Sequence, residues 1–205
     1  MVQIDILTVD YLFALIGITL FAAITPGPNN ALVATSGLSF GYKRTVPHIL
    51  GIAFGFGVMI FVVSFALGQL IAQSALIQEI LRWIGAAVLI YVAFKIARQG
   101  SLGTTEAQLR PFHAYEAALF QWVNPKAWSM ALAISSQFTL AQAPIRSATI
   151  VALVSVAIGL LSASLWTVFG TQLRRFLSTD ERLRWFYRSM GLTLVGFVFV
   201  LLLRS

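Results

Sequence analysis

Cysteine is absent from the 205 residues, so no disulfide, thiolate metal site or thiol relay is open to this chain. Charge is almost as scarce, at 10% of residues. There are seven acids against 14 bases, and no acid stands between residues 11 and 78 or between 117 and 179. The two histidines, His48 and His113, are far apart, which argues against a transition-metal pathway. No phosphate-binding Walker loop and no metal-ligand spacing occur, and the scattered serines lack an Asp/His partner. The chain therefore reads as no enzyme, with no cofactor and no metal. What is present is apolar: 59% hydrophobic residues and a mean hydropathy of +0.86. A soluble domain could not hide that much apolar surface, so an integral membrane protein in contact with the lipid bilayer is expected. The net charge of +7 does not imply nucleic acid, because the bases cluster in short connections where they set topology.

Six apolar segments of about 17 to 27 residues, near 11–36, 46–72, 80–98, 113–137, 146–170 and 187–203, match the roughly 20 residues that span a bilayer. Asp5 and Asp10 precede the first run and no base does, so it reads as a retained helix and not a cleaved signal. Ten of the 14 Lys and Arg residues fall in or beside the odd-numbered connections, and three on the other side. This bias puts the odd connections in the cytoplasm and both termini outside. The connection before the last span is basic enough to suit an anionic leaflet, though topology signalling alone accounts for it. Ser178 with Glu181 forms a capping-box pattern that predicts a helix from Thr179.

Two of these runs are broken. TPGPNN (Thr25 to Asn30) interrupts the first and WVNPKAW (Trp122 to Trp128) the fourth, with Pro28 and Pro125 separated by 97 positions, as are Pro47 and Pro144 near the starts of the following spans. Arg82-Trp-Ile-Gly85 is similarly echoed by Arg188-Ser-Met-Gly191. The expected fold is an all-α integral membrane protein: six transmembrane helices in two inverted three-helix repeats, helices 1 and 4 broken near the midplane. Repeat one covers about 1–98, a polar cytoplasmic connection 99–112, and repeat two about 113–205, forming one domain. The breaks lie about 22 Å and about 18 Å along their helices, mid-depth in a layer of about 30 Å.

A broken membrane helix leaves unpaired N–H groups at the start of its second half and unpaired carbonyls at the end of its first. The first can hold a carboxylate and the second an ammonium, so two facing breaks suit a zwitterionic amino acid. Pro26, Gly27 and Pro28 make the first bend. Asn29 and Asn30 either cap the second half-helix, touch substrate, or do both, and Thr25 is a weaker candidate. Asn124, Pro125 and Lys126 form the second break, with Gln121 one turn before Asn124. Lys126 is the lone formal charge deep in a span, and such charges are usually functional. Carbonyls of the opposite break, snorkelling to lipid phosphate, water or a substrate carboxylate would have to offset it. The scarcity of acids near the breaks favours a neutral over a basic substrate. Glu116 reads as interfacial. His48, on one face with Gly51 and Gly55, is either a buried structural residue or, with Lys126, a carrier of a coupled proton. That small-residue stripe suits packing within the chain or a homodimer.

TPGPNN in the first span and NPK in the fourth, in a chain of this length with six spans, resemble the LysE/RhtB family of bacterial amino-acid exporters. The resemblance covers essentially the whole chain. It implies efflux of amino acids or close derivatives across the bacterial inner membrane, driven by the proton gradient, with the family motifs on Pro26, Gly27, Pro28 and Asn29 and on Asn124, Pro125 and Lys126. Tyr115-Glu116-Ala117 departs from the small, often glycine-containing sequence expected before NPK. Rival readings are a heavy-metal or inorganic-ion exporter of related architecture and a non-transporting membrane scaffold. A reporter fused to the C-terminus is expected to read outside the cytoplasm; a cytoplasmic signal would break the six-span scheme.

Overall fold

The computed structural model describes residues 8–67, 75–97, 110–140, 143–174, 176–177 and 179–203. The end of the expected second span, most of the connection 99–112 and the capping residue Ser178 lie outside the described residues. The described residues form eight α-helices and one π-helical turn, with no strand among them. The protein is an all-α membrane protein.

Helix α1 (Val9–Ile24) starts at Thr8, whose hydroxyl accepts from the Tyr11 amide. Pro26 lacks an amide hydrogen and Pro28 stands at the first position of α2 (Pro28–Phe40), where no intrahelical bond is lost. The two helices meet at 61°. Gly41, at φ 78°, occupies the left-handed region that glycine tolerates, and turns the chain into α3 (Tyr42–Val62). A π-helical turn follows (Val63–Leu67). Helix α4 runs Ala75–Ala97. The second break separates α5 (Ala114–Gln121) from α6 (Pro125–Phe138), which has Pro125 at its first position and Asn124 as its side-chain cap. Helices α7 (Pro144–Leu173) and α8 (Asp180–Leu203) complete the chain.

Two sequence expectations shift. Helix α3 begins at Tyr42, a turn before the expected 46, so Pro47 lies inside it and not at its start. The last helix begins at Asp180, and the Thr179 hydroxyl accepts from the Arg182 amide. By length and hydropathy, 42–65 and 144–173 can each cross a membrane, and the bent pair α1/α2 makes a third. Helices α4 and α8 carry charges such as Glu79 and Arg188, and α5/α6 carries Glu116 and Lys126.

Helix α7 packs along α3 and α2, α3 also along α5, and α4 along α8. Small residues permit this. A Cβ on Gly37 would strike the carbonyl oxygen of Thr167, one on Gly170 that of Ala34, and one on Gly51 that of Ala114. Without a hydrophobic driving force between helices in lipid, such backbone approach supplies the dispersion contact that holds them. Large apolar side chains point outward instead: Phe13, Phe21, Leu153 and Phe199 are all well exposed, as a lipid-facing surface requires. Gly170→Ala and Gly37→Ala are expected to destabilise by roughly 1–3 kcal/mol through overpacking. Gly17→Ala, where a Cβ meets nothing within 4 Å, is expected to be near neutral, which thermal unfolding in detergent will test.

Candidate functional site

The two breaks face each other. Lys126 stands second in α6, at the positive end of that helix's dipole. Its side chain crosses to the other break, where Nζ donates to the Thr25 carbonyl and, at 3.5 Å, approaches the Pro26 carbonyl. The cation thus sits at the negative end of α1. Of the four ways the sequence left open to offset Lys126, the opposite break's carbonyls are the one observed. Gly27 makes the crossing possible: a Cβ there would lie 2.5 Å from Lys126 Cδ.

The carbonyls of Ala23 and Ile24 at the end of α1 are also occupied. Asn30 Nδ2 donates to the carbonyls of Ala23 and Thr25, both at 2.9 Å. Ser162 Oγ on α7 donates to Ala23 at 2.9 Å and Trp166 Nε1 to Ile24 at 3.3 Å. At the second break, Trp128 Nε1 donates to the Trp122 carbonyl at 2.9 Å. Side chains thus hold the carbonyls of Ala23, Ile24, Thr25 and Trp122. The N–H side is different. Lys126 N–H donates to Asn124 Oδ1 at 3.1 Å. The amides of Asn29, Asn30 and Ala127 precede the first intrahelical bonds of α2 and α6, which start at Ala31 and Trp128, and have no acceptor among the described residues.

Asn29, Asn30 and Ala127 line a cavity of about 50 Å³, room for about three to five water-sized groups at roughly 10–15 Å³ each. Its wall draws on α1, both breaks, α3, α6 and α7. Gly159 is about 22 Å into α7 and Ile52 about 15 Å into α3, so the cavity lies near mid-helix. Of the predicted site residues, Gly27, Asn29, Asn30, Asn124 and Lys126 line it. Pro28 and Pro125 start the half-helices behind it. Thr25 and Pro26 are exposed, and the Thr25 hydroxyl folds back onto the Phe21 carbonyl at 2.7 Å. Gln121 is fully buried beneath Asn29. Asn29 Nδ2 donates to Gln121 Oε1 at 2.8 Å, and Gln121 Nε2 to the Ala117 carbonyl at 2.7 Å, which fixes the Asn29 side chain from below.

His48 does not join them. It is buried against Phe112, with ring centroids 5.0 Å apart, outside the cavity wall. Glu116 is spent at the start of α5, accepting from both terminal nitrogens of Arg110 (2.6 and 2.8 Å) and from the His113 amide (2.7 Å). Hydrogen bonding to Glu116 in turn pushes the Arg110 guanidinium further above its ordinary pKa. Lys126 is the cavity's one ionisable lining residue, and among the described residues no group of three or more His, Cys, Asp or Glu comes together to hold a metal.

The sequence reading passes over Thr19, Ser155 and Ser162, which also line the cavity. Ser155, Gly159 and Ser162 recur at i, i+4 and i+7, one face of α7, a period like that of His48, Gly51 and Gly55 on α3. That spacing was the available signal. Thr19 carries none.

The family model described as LysE type translocator matches residues 20–205. The chain belongs to the LysE family. The LysE/RhtB resemblance carried by TPGPNN and NPK is borne out. A cysteine/O-acetylserine efflux protein of Klebsiella pneumoniae is 28% identical over 184 residues, covering 87% of this chain and 92% of the relative. A homoserine/homoserine lactone efflux protein of Salmonella typhimurium is 30% identical over 144 residues, 67% of this chain and 69% of the relative. A cysteine/O-acetylserine efflux protein of Escherichia coli K12 is 29% identical over 161 residues, 77% and 80% respectively. No solved structure matches the chain.

The Asn30 bonds give the site a testable stability. Asn30→Ala removes one of two side-chain donors from each of the Ala23 and Thr25 carbonyls and is expected to lower the unfolding free energy by roughly 1–3 kcal/mol for the two bonds together; an unchanged unfolding midpoint would mean that the bend holds without them.

Proposed function

We propose that this LysE-family protein is a secondary exporter of small neutral amino acids or close derivatives across the bacterial inner membrane. The observation that carries the reading is the pairing of Lys126 with unpartnered half-helix amides around one small cavity free of acidic side chains. A substrate carboxylate would accept from the Asn29, Asn30 and Ala127 amides, with the Lys126 ammonium and the Asn29 side chain beside it. No carboxylate is at hand to pair with a second positive charge, which disfavours a basic substrate. The relatives' names, cysteine, O-acetylserine and homoserine among their substrates, agree with compact neutral solutes.

The reading takes the chain as one domain of six spans in two inverted repeats. Its support is that packing pairs recur when the halves are exchanged: α2 on α7 answers α6 on α3, α1 on α7 answers α5 on α3, and α2 on α8 answers α6 on α4. Alternating access would come from one repeat rocking against the other. Lys126, bridging the breaks, would carry the coupled proton; His48, away from the cavity, would serve packing.

Efflux from preloaded proteoliposomes tests this. The wild-type chain is expected to export small neutral amino acids at least about tenfold faster than lysine, and Lys126→Met to lose most of that activity. Full efflux in Lys126→Met, with the protein folded, would remove Lys126 from the mechanism.

A further inference from the structure

Two hydroxyls in the cavity wall have no part in the arrangement above. Thr19 on α1 is fully buried and Ser155 on α7 is 1% exposed. Both line the cavity, and neither side-chain oxygen makes a hydrogen bond within the protein. A helical hydroxyl commonly donates to the carbonyl four residues back, and Thr35, Ser147 and Thr167 do so here. Thr19 and Ser155 make no such bond. The wall they share also includes the apolar side chains of Ile52, Phe56 and Met130. Buried polar groups in native proteins are nearly always bonded, so two exceptions in one cavity call for an explanation.

Their position supplies one. The Ala23 carbonyl, bonded by Asn30 and Ser162, ties α1 and α7 to the start of α2, where the half-helix amides stand. Thr19 is one turn, about 6 Å, from Ala23 along α1, and Ser155 two turns, about 10 Å, from Ser162 along α7. A solute whose carboxylate is held at the amides has its α-ammonium on the adjacent carbon, too close to reach either hydroxyl. Its side chain extends further. We infer that Thr19 and Ser155 form a specificity subsite for the far end of the substrate's side chain. It selects small α-amino acids whose side chains end in a hydrogen-bonding group, such as a hydroxyl, thiol or carbonyl, over their aliphatic isosteres. The inference rests on the exporter reading and adds to it the class of side chain and the residues that read it. Each hydroxyl is both donor and acceptor, so the subsite accommodates either polarity, and an aliphatic isostere would leave both hydroxyls unbonded.

The experiment compares efflux of homoserine with norvaline, and of threonine with valine, from preloaded proteoliposomes. Wild-type protein is expected to favour the hydroxyl member of at least one pair. Thr19→Val and Ser155→Ala are expected to cut that preference by about tenfold while leaving efflux of the aliphatic member unchanged or higher. Thr19→Ser keeps the hydroxyl and is expected to keep the preference. Because the hydroxyls bond nothing in the folded protein, both substitutions should leave the unfolding temperature in detergent unchanged or raise it. A wild-type protein without preference, a preference that survives both substitutions, or a fall in unfolding temperature as large as that of Asn30→Ala would overturn the subsite and leave the exporter reading standing. Absence of efflux for all four solutes and for other neutral amino acids would end the exporter reading and the subsite with it.

Discussion

A backbone group inside a membrane needs a partner, and a helix interrupted mid-span has several without one. The rest of this structure follows from how that need is met. At the first break the carbonyls are bonded by Asn30 from the next half-helix, Ser162 and Trp166 from α7, and Lys126 from the opposite break. Three separate elements are thereby tied to one bend, and the bend cannot straighten without releasing all of them. The amides receive no such treatment. The imbalance turns an otherwise structural solution into a polar chamber with positive character.

Packing serves the same end. The bend is useful only if α7 comes close enough for Ser162 to touch the Ala23 carbonyl, and α7 comes close because Gly37 and Gly170 let the backbones of α2 and α7 meet. Gly27 performs the same service for Lys126. Each is a case where the missing side chain, and no property of glycine's backbone freedom, is what the position needs. Among the described glycines, only at Gly41, with φ at 78°, does conformation decide.

The broken helices and the place of Lys126 at the second break were legible in the sequence because prolines and a lone charge stand out against an apolar background. The partner of Lys126 was not, since a carbonyl belongs to every residue and leaves no trace in composition. Gln121 was placed one turn before Asn124, yet its role beneath Asn29 depends on contact across 92 residues. Thr19 was illegible for the same reason: a threonine in a membrane helix ordinarily bonds its own backbone, and only the fold reveals that this one does not. The early start of α3 was missed because Lys43 and Arg44 were counted among the bases of the first connection, whereas Gly41 turns the chain in a single residue and both lie in the helix.

The positions 97 apart hold unlike residues at the two breaks: Gly27 answers Asn124, and Asn29 answers Lys126. One break supplies the cation and the other the gap it passes through. Two copies of the first half, assembled face to face, would have gaps and amides but no cation. Two copies of the second would set two lysines against each other with an asparagine in place of each gap. The two breaks are complementary and not alike, and only a chain that joins one of each in fixed proportion can close this chamber around a single positive charge.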